Sequence, residues 1–471
     1  MENKSTTSQK LISICIPTYE MYGKGAFFLK RSLGMLTRQT FKDFDVVISD
    51  YSKDSEIKDL CEKYKGKLDI HYFKNNNPVV GMSLNVNNAI ANATGKLIKI
   101  LFLDDSLFNE NSLTETIRHF DLEKDHWLVT GCTHTKDGKT FFRPHLAKYH
   151  NKIHMGQNTI GSPSVLTIKN DKPPLFDTNL KWFMDCDYYK RCFDAYGAPK
   201  IVDSINVVIG VGSHQISNTE ATKDLRKAEF KYIVKKYNEK TIRDITLVAI
   251  SSIDPKGAVR ALELSMDGME FHETILISHK KPNKLNPRIT FKQCKPDELR
   301  SSDPKNKDDY SKFMAYSLCD YIDSDFALIV HNNAHILRPY KWDYEFLDYD
   351  YIGAPWRKNT HFTPEGINVR VGNGGFSLRS KKLLNVLNVL KLPFTDNGTG
   401  FFNEDGIICV YYRKQLEDYG IKFAPVEVAA KFSMEHENED SDIEPFGFHD
   451  NKKAIPRFFF LKRLIRKLIK K

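Results

Sequence analysis

The stretch LISICIPTY, residues 11–19, decides the fold class of this 471-residue chain. Its β-branched residues predict a buried strand that ends in a polar Pro-Thr-Tyr segment. A helical stretch and a second strand, DFDVVISDY (43–51), follow. Next come a strand around IHYF, a helix through SLNVNNAIANATG (83–95) and the strand KLIKILFL. This alternation predicts βαβ units and a mainly parallel sheet, which is the α/β class.

The same pattern starts again in the second half of the chain. DITLVAISS (244–252) and ETILISH (273–279) predict strands on either side of a helix, and FALIVHN (326–332) predicts another strand. Between the two halves, the polar, Lys-rich segment 223–240 is typical of a helical connector. We therefore expect two tandem α/β domains of the Rossmann-like kind.

The expected organisation has three parts, which are residues 1–240 with the connector, residues 241–454, and a tail at 455–471. In the tail, IPRFFFLKRLIRKLIKK, apolar residues recur at helical spacing and Lys or Arg fills the opposite face. This pattern predicts a basic amphipathic helix on an anionic membrane surface. The alternative is a helix packed on its own domain.

The distribution of charge argues against nucleic acid as a partner. The formal net charge is +10, but residues 452–471 contain nine Lys or Arg and no acid, which leaves about +1 for the rest. A nucleic-acid groove needs basic residues spread over a folded face. The basic tail favours an anionic membrane instead.

The cysteines and the N-terminus bear on the compartment. Eight cysteines are scattered with no CxxC pair, which predicts buried, reduced thiols. The stretch MENKSTTSQK lacks the apolar core of a signal peptide, and we find no apolar run long enough to span a bilayer. We therefore expect a cytoplasmic protein, or one held peripherally on the cytoplasmic face of the membrane.

Polar side chains follow three predicted strands of the first half. They are Pro17, Thr18, Tyr19 and Glu20 after the first strand, Asp50 after the second, and Asp104 with Asp105 after the fourth. Strand carboxyl ends bind ligands in open α/β sheets. Two adjacent carboxylates suit Mg²⁺ or Mn²⁺ with diphosphate oxygens completing the shell. Taken alone, a solvated turn explains an Asp-Asp pair better.

The stretches ISICIPTYE, QTFKDFDVVISDYS and NVNNAIANATGKLIKILFLDD together resemble the family 2 glycosyltransferases of the GT-A fold, over about residues 10–215. The resemblance implies a nucleotide-sugar donor, with a UDP-sugar favoured, and a divalent Mn²⁺ or Mg²⁺. It also implies sites for the nucleotide and the metal. Base and ribose would be held by Pro17, Thr18, Tyr19, Glu20 and Asp50, the ribose also by Asp104, and the metal by Asp105.

Two departures from the family's pattern bear on these roles. Ser49 stands beside Asp50 where the family usually has a second acid. Asp104 and Asp105 are consecutive where many members have a spacer, so either acid could ligate the metal.

The stretch WFMDCDYYKRC (182–192) resembles the family's ED-x-D-x-x-x-R region. The resemblance implies that Asp185 is the base that deprotonates the acceptor hydroxyl. The alternative for Asp185 is an acid favoured by the helix dipole. Asp187 is expected to be structural and paired with Arg191 one turn on. The resemblance as a whole implies direct displacement with inversion.

Two further stretches extend this candidate site. In NTIGSPSVL, Gly161 and Ser162 are expected near the sugar. In GSHQIS, His214 is a candidate ligand of the metal or the diphosphate. A lone histidine is, however, more often an ordinary surface or core residue.

Four stretches of the second half resemble an uncharacterised, glycosyltransferase-like domain family over about residues 243–450. They are DYDYIGAPW (348–356), VGNGGFSLRS (371–380), NEDGIICVYY (403–412) and PFGFH (445–449). Glu404 and Asp405 begin an apolar helical run, where an acid can face the acceptor or simply cap the helix; Asp405 is the candidate catalytic residue. His449 is a candidate metal ligand.

The second half departs from this resemblance after FALIVH. An acid is expected there, but Asn332 and Asn333 stand in its place. Neutral amides are poor ligands for Mg²⁺ or Mn²⁺. The second domain is then either a second active site or a degenerate module that binds the acceptor or another glycan.

The sequence as a whole predicts a metal-dependent inverting glycosyltransferase for surface polysaccharide or glycan synthesis, with a glycan or lipid-linked acceptor. The rival class is a glycan-binding protein without turnover. A dinucleotide oxidoreductase is disfavoured because no GxGxxG follows the first strand.

Overall fold

The computed structural model describes residues 9–77, 81–251, 253–299, 308–357, 369–394, 403–435 and 443–450. The chain divides into two compact units, with unit 1 ending at Glu239 and unit 2 starting at Lys240. Both contain a sheet flanked by helices, so the predicted α/β class is confirmed. The predicted amphipathic helix of residues 455–471 lies outside the described residues.

Unit 1 is built on a nine-stranded sheet. Its strands are β1 (Ile12–Thr18), β2 (Phe44–Asp50), β3 (Ile70–Lys74), β4 (Leu97–Ile100), β5 (Ser106–Leu107), β6 (Trp127–Thr135), β7 (Phe141–His145), β8 (Leu166–Lys169) and β9 (Lys200–Gly210). They run in the order β3-β2-β1-β4-β8-β6-β9-β5, with β7 paired to β6. Each of the three connections between the first four strands contains a helix, as parallel pairing requires.

The sheet is less parallel than the sequence predicts. Strands β1 to β4 are mutually parallel, but β8 is antiparallel to both β4 and β6. Strands β6 and β7 are antiparallel as well, and only residues 136–140 join them. Such short connections make antiparallel pairs, because parallel pairs need a crossover of a dozen residues or more.

Seven helices accompany the sheet of unit 1. They are α1 (Gly25–Arg38), α2 (Glu56–Tyr64), α3 (Met82–Ala91), α4 (Ser112–His119), α5 (Met184–Tyr196), α6 (Ile216–Thr219) and α7 (Lys223–Tyr237). Helix α1 buries Leu29, Leu33 and Leu36, one stripe at helical spacing. Helix α7, predicted as a connector, packs on unit 1 through fully buried Ile233.

Unit 2 has a six-stranded sheet in the order β12-β11-β10-β13-β16-β15 and a small sheet in the order β14-β18-β17. The strands are β10 (Ile245–Ile250), β11 (Glu273–Ser278), β12 (Thr290–Gln293), β13 (Phe326–Val330), β14 (Ala334–Ile336), β15 (Tyr351–Ile352), β16 (Phe376–Ser380), β17 (Ser433–Met434) and β18 (Gly447–His449). Strands β10 to β13 are parallel to one another, whereas β16 is antiparallel to both β13 and β15.

The helices of unit 2 cover this sheet. They are α8 (Pro255–Ser265), α9 (Asp308–Lys312), α10 (Lys381–Val389), α11 (Glu404–Gly406), α12 (Arg413–Asp418) and α13 (Val426–Phe432). All eight cysteines of the chain are buried and free, as predicted. Within the described ranges, none of the helices has the length and apolar character required to span a bilayer.

Candidate active site

A cavity of about 310 Å³ lies in unit 1 among residues that follow β1, β4 and β9. Five of the predicted site residues line it: Tyr19, Asp104, Asp105, Asp185 and His214. Ser162, expected near the sugar, lines it as well. The sheet thus brings together side chains that are up to about 195 positions apart in sequence, as expected at the carboxyl ends of parallel strands.

Asp104 and His214 face each other at this cavity. The Nε2 atom of His214 lies 3.0 Å from Oδ2 of Asp104, and the imidazole packs against Phe28 with ring centroids 4.9 Å apart. Arg31 of α1 donates to the backbone carbonyl of Asp104. An imidazole nitrogen and a carboxylate oxygen, both open to the cavity, are a donor set that suits Mn²⁺ and similar divalent cations.

Asp105 is occupied on both carboxylate oxygens. Oδ2 accepts hydrogen bonds from Ser162 Oγ at 3.0 Å and Ser164 Oγ at 2.6 Å, and Oδ1 accepts from the Gly210 N–H at 3.0 Å. The side chain is nearly fully buried. Burial, and then the negative charge of Asp104, raise the pKa of Asp105 above its usual range. Asp105 therefore joins the β4 end to the Ser162–Ser164 segment and to β9.

The end of β9 approaches the acidic pair closely because it is a glycine. A Cβ atom on Gly210 would lie 2.2 Å from the carbonyl oxygen of Asp104. Beneath the pair, Lys99 of β4 is buried and donates to the carbonyls of Ser164 and Leu166. Burial lowers the pKa of Lys99 to about 7. The corner is thus held by backbone contacts as well as by side chains.

Asp185 differs from the other acids of the cavity. It sits in the first turn of α5, and its carboxylate makes no hydrogen bond or ion pair with the residues that the structure describes. Because it is surrounded by protein without a compensating partner, burial raises its pKa to about 7. A free carboxylate with this pKa can take up a proton near neutral pH.

Two buried acids fix the start of α5. Glu229 of α7 accepts from the backbone N–H groups of Lys181, Trp182 and Phe183, at 2.9, 2.9 and 3.0 Å. These N–H groups precede α5, so Glu229 acts as an N-terminal cap that is supplied by another helix, α7. The cap holds the segment that leads directly into Asp185.

The second acid is Asp187, which is fully buried. It accepts from Arg191 Nε at 2.9 Å, which confirms the predicted pair. It also accepts from Lys236 Nζ at 2.6 Å and from the Tyr237 hydroxyl at 2.8 Å, both at the end of α7. Asp187 therefore ties α5 to α7 at a second point.

Most of the predicted nucleotide residues at the ends of β1 and β2 do not line this cavity. Asp50 is fully buried: Oδ1 accepts from Thr18 Oγ1 at 3.1 Å and from Ser52, and Oδ2 accepts from the Tyr72 hydroxyl at 2.7 Å. Pro17, Thr18, Glu20 and Asp50 are not among the described residues that line the cavity, whereas Tyr19 is.

In unit 2 the predicted acids are bound within the fold. Glu404 forms a buried ion pair with Arg379, with 2.9 Å between Oε1 and the guanidinium. Asp405 accepts from the N–H groups of Gly374 at 3.1 Å and Gly406 at 2.8 Å. Burial, and then the charge of Glu404, raise the pKa of Asp405.

A group of imidazoles and amides lies beside them. His449 Nδ1 is 3.1 Å from Nδ2 of Asn373, and its ring crosses that of His331 at 5.3 Å. The ring fits because residue 375 is glycine: a Cβ there would lie 2.3 Å from His449 Nε2. Within the described part of the chain, the buried Oδ1 of Asn373 has no hydrogen-bond partner.

The asparagines that stand in place of the expected acid of unit 2 lie at the surface. Asn332 and Asn333 are exposed, and Asn332 donates to Asp254 at 3.2 Å. His331, the residue directly after β13, is less exposed than these asparagines. Its Nε2 atom forms a hydrogen bond of 2.7 Å with the Tyr310 hydroxyl.

Several site residues were missed from the sequence. They are Arg31, Lys99, Ser164, Glu229, His331 and Asn373. A lysine inside the apolar run LIKILFL was a usable signal for Lys99, because an unpaired charge is costly inside a strand. Glu229 gave no signal, since it stands among the alternating charges of a polar helix.

Comparison with known families divides the chain in the same way as the motifs. Residues 13–173 match the model of the family described as Glycosyl transferase family 2. Residues 294–449 match the model of a family described as Protein of unknown function (DUF5672). The chain therefore contains a glycosyl transferase family 2 region followed by a DUF5672 region, and the resemblance inferred from the sequence is confirmed.

Two characterised relatives overlap short parts of the chain. One is the GalNAc(5)-diNAcBac-PP-undecaprenol beta-1,3-glucosyltransferase of Campylobacter jejuni, 27% identical over 99 residues, which cover 21% of this chain and 31% of that protein. The other is the validoxylamine A glucosyltransferase of Streptomyces hygroscopicus, 39% identical over 70 residues, which cover 14% of this chain and 16% of that protein. The chain thus spans less than a third of either relative.

Solved structures with a similar arrangement include S. aureus TarS 1–349 in complex with UDP-GlcNAc. It has a TM-score of 0.39 and 18% identity, over 48% of this chain and 64% of that one. The mannosyltransferase PcManGT from Pyrobaculum calidifontis, in complex with GDP-Man and Mn²⁺, has a TM-score of 0.35 and 16% identity, over 50% of this chain and 66% of that one.

Proposed function

We propose that unit 1 is an inverting glycosyltransferase that moves a sugar from a nucleoside diphosphate donor to an acceptor hydroxyl. The match of residues 13–173 to glycosyl transferase family 2 supports the reaction class. The observation that carries the proposal is the carboxylate of Asp185, which has no hydrogen-bond or ion-pair partner among the described residues and lines the same cavity as Asp104 and His214.

Asp185 acts as the general base. Its carboxylate takes the proton of the acceptor hydroxyl while that oxygen forms a bond to the anomeric carbon of the donor, and the bond from this carbon to the diphosphate breaks. A pKa of about 7 suits this step, because a base works best when its pKa is close to the operating pH. The cap from Glu229 and the Asp187 contacts fix where this carboxylate lies.

Other carboxylates of the cavity support a single displacement. Asp104 is paired with His214, and Asp105 is saturated by Ser162, Ser164 and Gly210. Both oxygens of Asp105 therefore accept hydrogen bonds, and the Oδ2 atom of Asp104 is engaged by His214, which leaves Asp185 as the acid that we assign as the base. One base and one leaving group give inversion at the anomeric carbon.

The donor atoms at this corner fit a divalent cation, Mn²⁺ or Mg²⁺. Asp104 and His214 would hold it, which reverses the roles that the sequence assigned to the two acids, with Asp105 positioning Asp104. His449, the other predicted metal ligand, belongs to unit 2. When bound, such an ion neutralises the charge that develops on the diphosphate leaving group. Arg31, which donates to the Asp104 carbonyl, adds positive charge at the same place.

We assign the nucleotide to the side of the cavity formed by Tyr19, with a UDP-sugar as the first donor to test. Thr18 and Asp50 are positioning residues in this proposal, because their hydrogen bond joins the ends of β1 and β2 behind Tyr19. Pro17 lies within β1 opposite Ser49, and Glu20 shapes the turn that follows, because its carbonyl accepts from the N–H groups of Gly23 and Gly25.

The acceptor is proposed to be a glycan or a lipid-linked sugar, and the pathway surface polysaccharide or glycan synthesis. The relative in Campylobacter jejuni is named for an acceptor carried on PP-undecaprenol, which supports the lipid-linked class. Such acceptors place the enzyme peripherally on the cytoplasmic face of the membrane. The basic tail at 455–471 is compatible with that location.

Unit 2 is proposed to bind glycan rather than to catalyse a second transfer. Both oxygens of Asp405 accept backbone N–H groups, and Glu404 is neutralised by Arg379, so neither acid is placed as a free base. Within the described part of the chain, the buried amide oxygen of Asn373 has no hydrogen-bond partner, and it can accept a hydrogen bond from a sugar hydroxyl.

The test is a panel of UDP-sugars and GDP-mannose with Mn²⁺, with donor binding measured by calorimetry and donor hydrolysis by nucleoside diphosphate release. Asp185→Asn should bind the donor within about threefold of the unaltered chain and lose about 10²- to 10⁴-fold in turnover. Asp194→Asn is the matched control: it lies on the same helix but is exposed and paired with Lys190, so turnover should be retained.

Two results would contradict these proposals. If the unaltered chain binds no nucleotide sugar, or if Asp185→Asn turns over normally, the assignment of unit 1 fails. If Asp185→Asn retains sugar transfer that disappears when Asp405→Asn is added, unit 2 is a second active site and the glycan-binding proposal is wrong.

A further inference from the structure

The outer side of α1, together with the turn before it, presents an exposed surface of aromatic and basic side chains. Tyr22 and Phe27 are 68% and 67% exposed, among the most exposed large apolar side chains of the described residues. Lys24, Lys30 and Arg38 are exposed as well. We call these five residues the basic aromatic face. Its members on the helix share one side, because positions 27, 30 and 38 follow helical spacing.

The turn before α1 directs Tyr22 outward at a cost in backbone energy. Met21, Tyr22 and Gly23 have φ angles of 44°, 56° and 79°, which is the left-handed region. For the two residues with side chains this costs about 1–2 kcal/mol each. The result is that Met21 is buried at 3% exposure while its neighbour Tyr22 projects into solvent.

The charge of this segment is of one sign. Between Glu20 and Asp43 the chain contains five Lys or Arg and no acid. Helix α1 buries its leucine stripe on the sheet, and Lys24, Lys30 and Arg38 are exposed on the outward side, whereas Arg31 donates to the Asp104 carbonyl. A helix with a basic exposed face and aromatic anchors has the chemistry of an interfacial membrane contact.

The face lies at the edge of the cavity. Met21 and His214 line the cavity, and Tyr22 directly follows Met21. The ring of Phe27 is 5.5 Å from that of Phe28, which in turn is 4.9 Å from His214. Anything that binds the face is therefore close to the mouth of the proposed donor site.

We propose that the basic aromatic face docks on an anionic lipid bilayer. Tyr22 and Phe27 enter the headgroup region, while Lys24, Lys30 and Arg38 attract anionic headgroups. The contact brings the cavity to the lipid surface, where a lipid-linked acceptor presents its sugar. The docking goes beyond the transferase proposal and does not depend on it, because binding to vesicles requires no nucleotide or turnover.

The test is sedimentation of the full-length chain with vesicles of phosphatidylcholine and phosphatidylglycerol, and with phosphatidylcholine alone. The Tyr22→Ser/Phe27→Ser variant should bind the anionic vesicles about tenfold more weakly. Lys24→Gln/Lys30→Gln should bind about 30-fold more weakly, with a smaller dependence on salt. The tail at 455–471 is present in every variant, so the differences report on the face alone.

The matched control is Ile253→Ser/Tyr340→Ser, which removes apolar groups that are 55% and 76% exposed in unit 2. It should bind vesicles like the unaltered chain. The proposal is overturned if the control loses as much binding as Tyr22→Ser/Phe27→Ser, or if that variant binds normally. It is also overturned if the variant only converts a dimer to a monomer, or if a DNA duplex binds the face as tightly as the vesicles do.

Discussion

The pH dependence of sugar transfer should follow the protonation of Asp185. With a pKa of about 7, this carboxylate is about 1% ionised at pH 5, about 9% at pH 6 and about 91% at pH 8. If the base must be ionised, kcat/KM rises about tenfold per pH unit up to pH 6 and levels off above pH 7. Between pH 5 and pH 8 the increase is about 90-fold.

The same carboxyl group should lower stability at the pH where it works. Its pKa is higher in the folded chain than in the unfolded chain, so the unfolded state releases its proton first as the pH rises. Stability is then lost between about pH 4 and pH 7, with an upper bound of about 4 kcal/mol. Since Asp185 is partly exposed to the cavity, about 1–2 kcal/mol is the expected loss.

Asp185→Asn tests both consequences at once. The amide is neutral at every pH, so at pH 8 the variant should melt about 2–6 °C above the unaltered chain while its residual transfer no longer varies with pH. Initial rates of nucleoside diphosphate release from pH 5 to pH 8.5, at saturating Mn²⁺, give the profile, and calorimetry gives the melting temperatures. Asp194→Asn should keep the normal profile.

Two outcomes would refute this reasoning. A profile that breaks near pH 4 would mean that Asp185 behaves as an ordinary solvated carboxylate. A variant that is inactive but less stable than the unaltered chain would mean that Asp185 supports the fold, and that its loss of activity follows from misplacement of α5.

Three further substitutions each test the contacts of one residue. Asp104→Asn should raise the half-saturating Mn²⁺ concentration, measured from reaction rates, at least about tenfold, because an amide is a weaker ligand than a carboxylate. An unchanged concentration would mean that Asp105, and not Asp104, ligates the metal. Asp187→Ala should lower the free energy of unfolding by about 3 kcal/mol in urea titrations, since three donors lose a buried acceptor. A loss under about 1 kcal/mol would mean that Asp187 does not hold α5 and α7 together. Gly375→Ala should destabilise unit 2 by about 1–3 kcal/mol in thermal melts by displacing His449, and donor hydrolysis should be unaffected.

Much of the fold follows from local pattern. The strands at LISICIPTY, DFDVVISDY and FALIVHN lie within a residue or two of their predicted positions because each is a continuous apolar run, typical of a strand buried on both faces. The antiparallel strand β8 could not be predicted in the same way. Its partners are β4 and β6, and the local pattern of a single sequence does not reveal which distant strands pair.

The acidic residues of the candidate site could be predicted from the sequence, but the contacts that each of them makes could not. Asp104, Asp105 and Asp185 were all identified, yet they differ in what they contact: one faces His214, one is saturated by hydroxyls and a backbone N–H, and one is free. The contacts of Asp105 come from Ser162, Ser164 and Gly210, which are 57, 59 and 105 positions away in the chain. Contacts of this kind depend on tertiary packing, which no local motif reveals.

Helix α7 determines how short a fragment that contains the unit 1 site can be. The family match ends at residue 173, but a fragment cut there would lack Asp185 and His214. A fragment ended at residue 222 would retain both and still lose Glu229, leaving three N–H groups before α5 uncapped. Glu239 itself binds Lys152 and His154, at 2.8 and 2.7 Å. The smallest self-sufficient fragment therefore extends to Glu239, and a protease cut within α7 would inactivate the enzyme without touching a cavity residue.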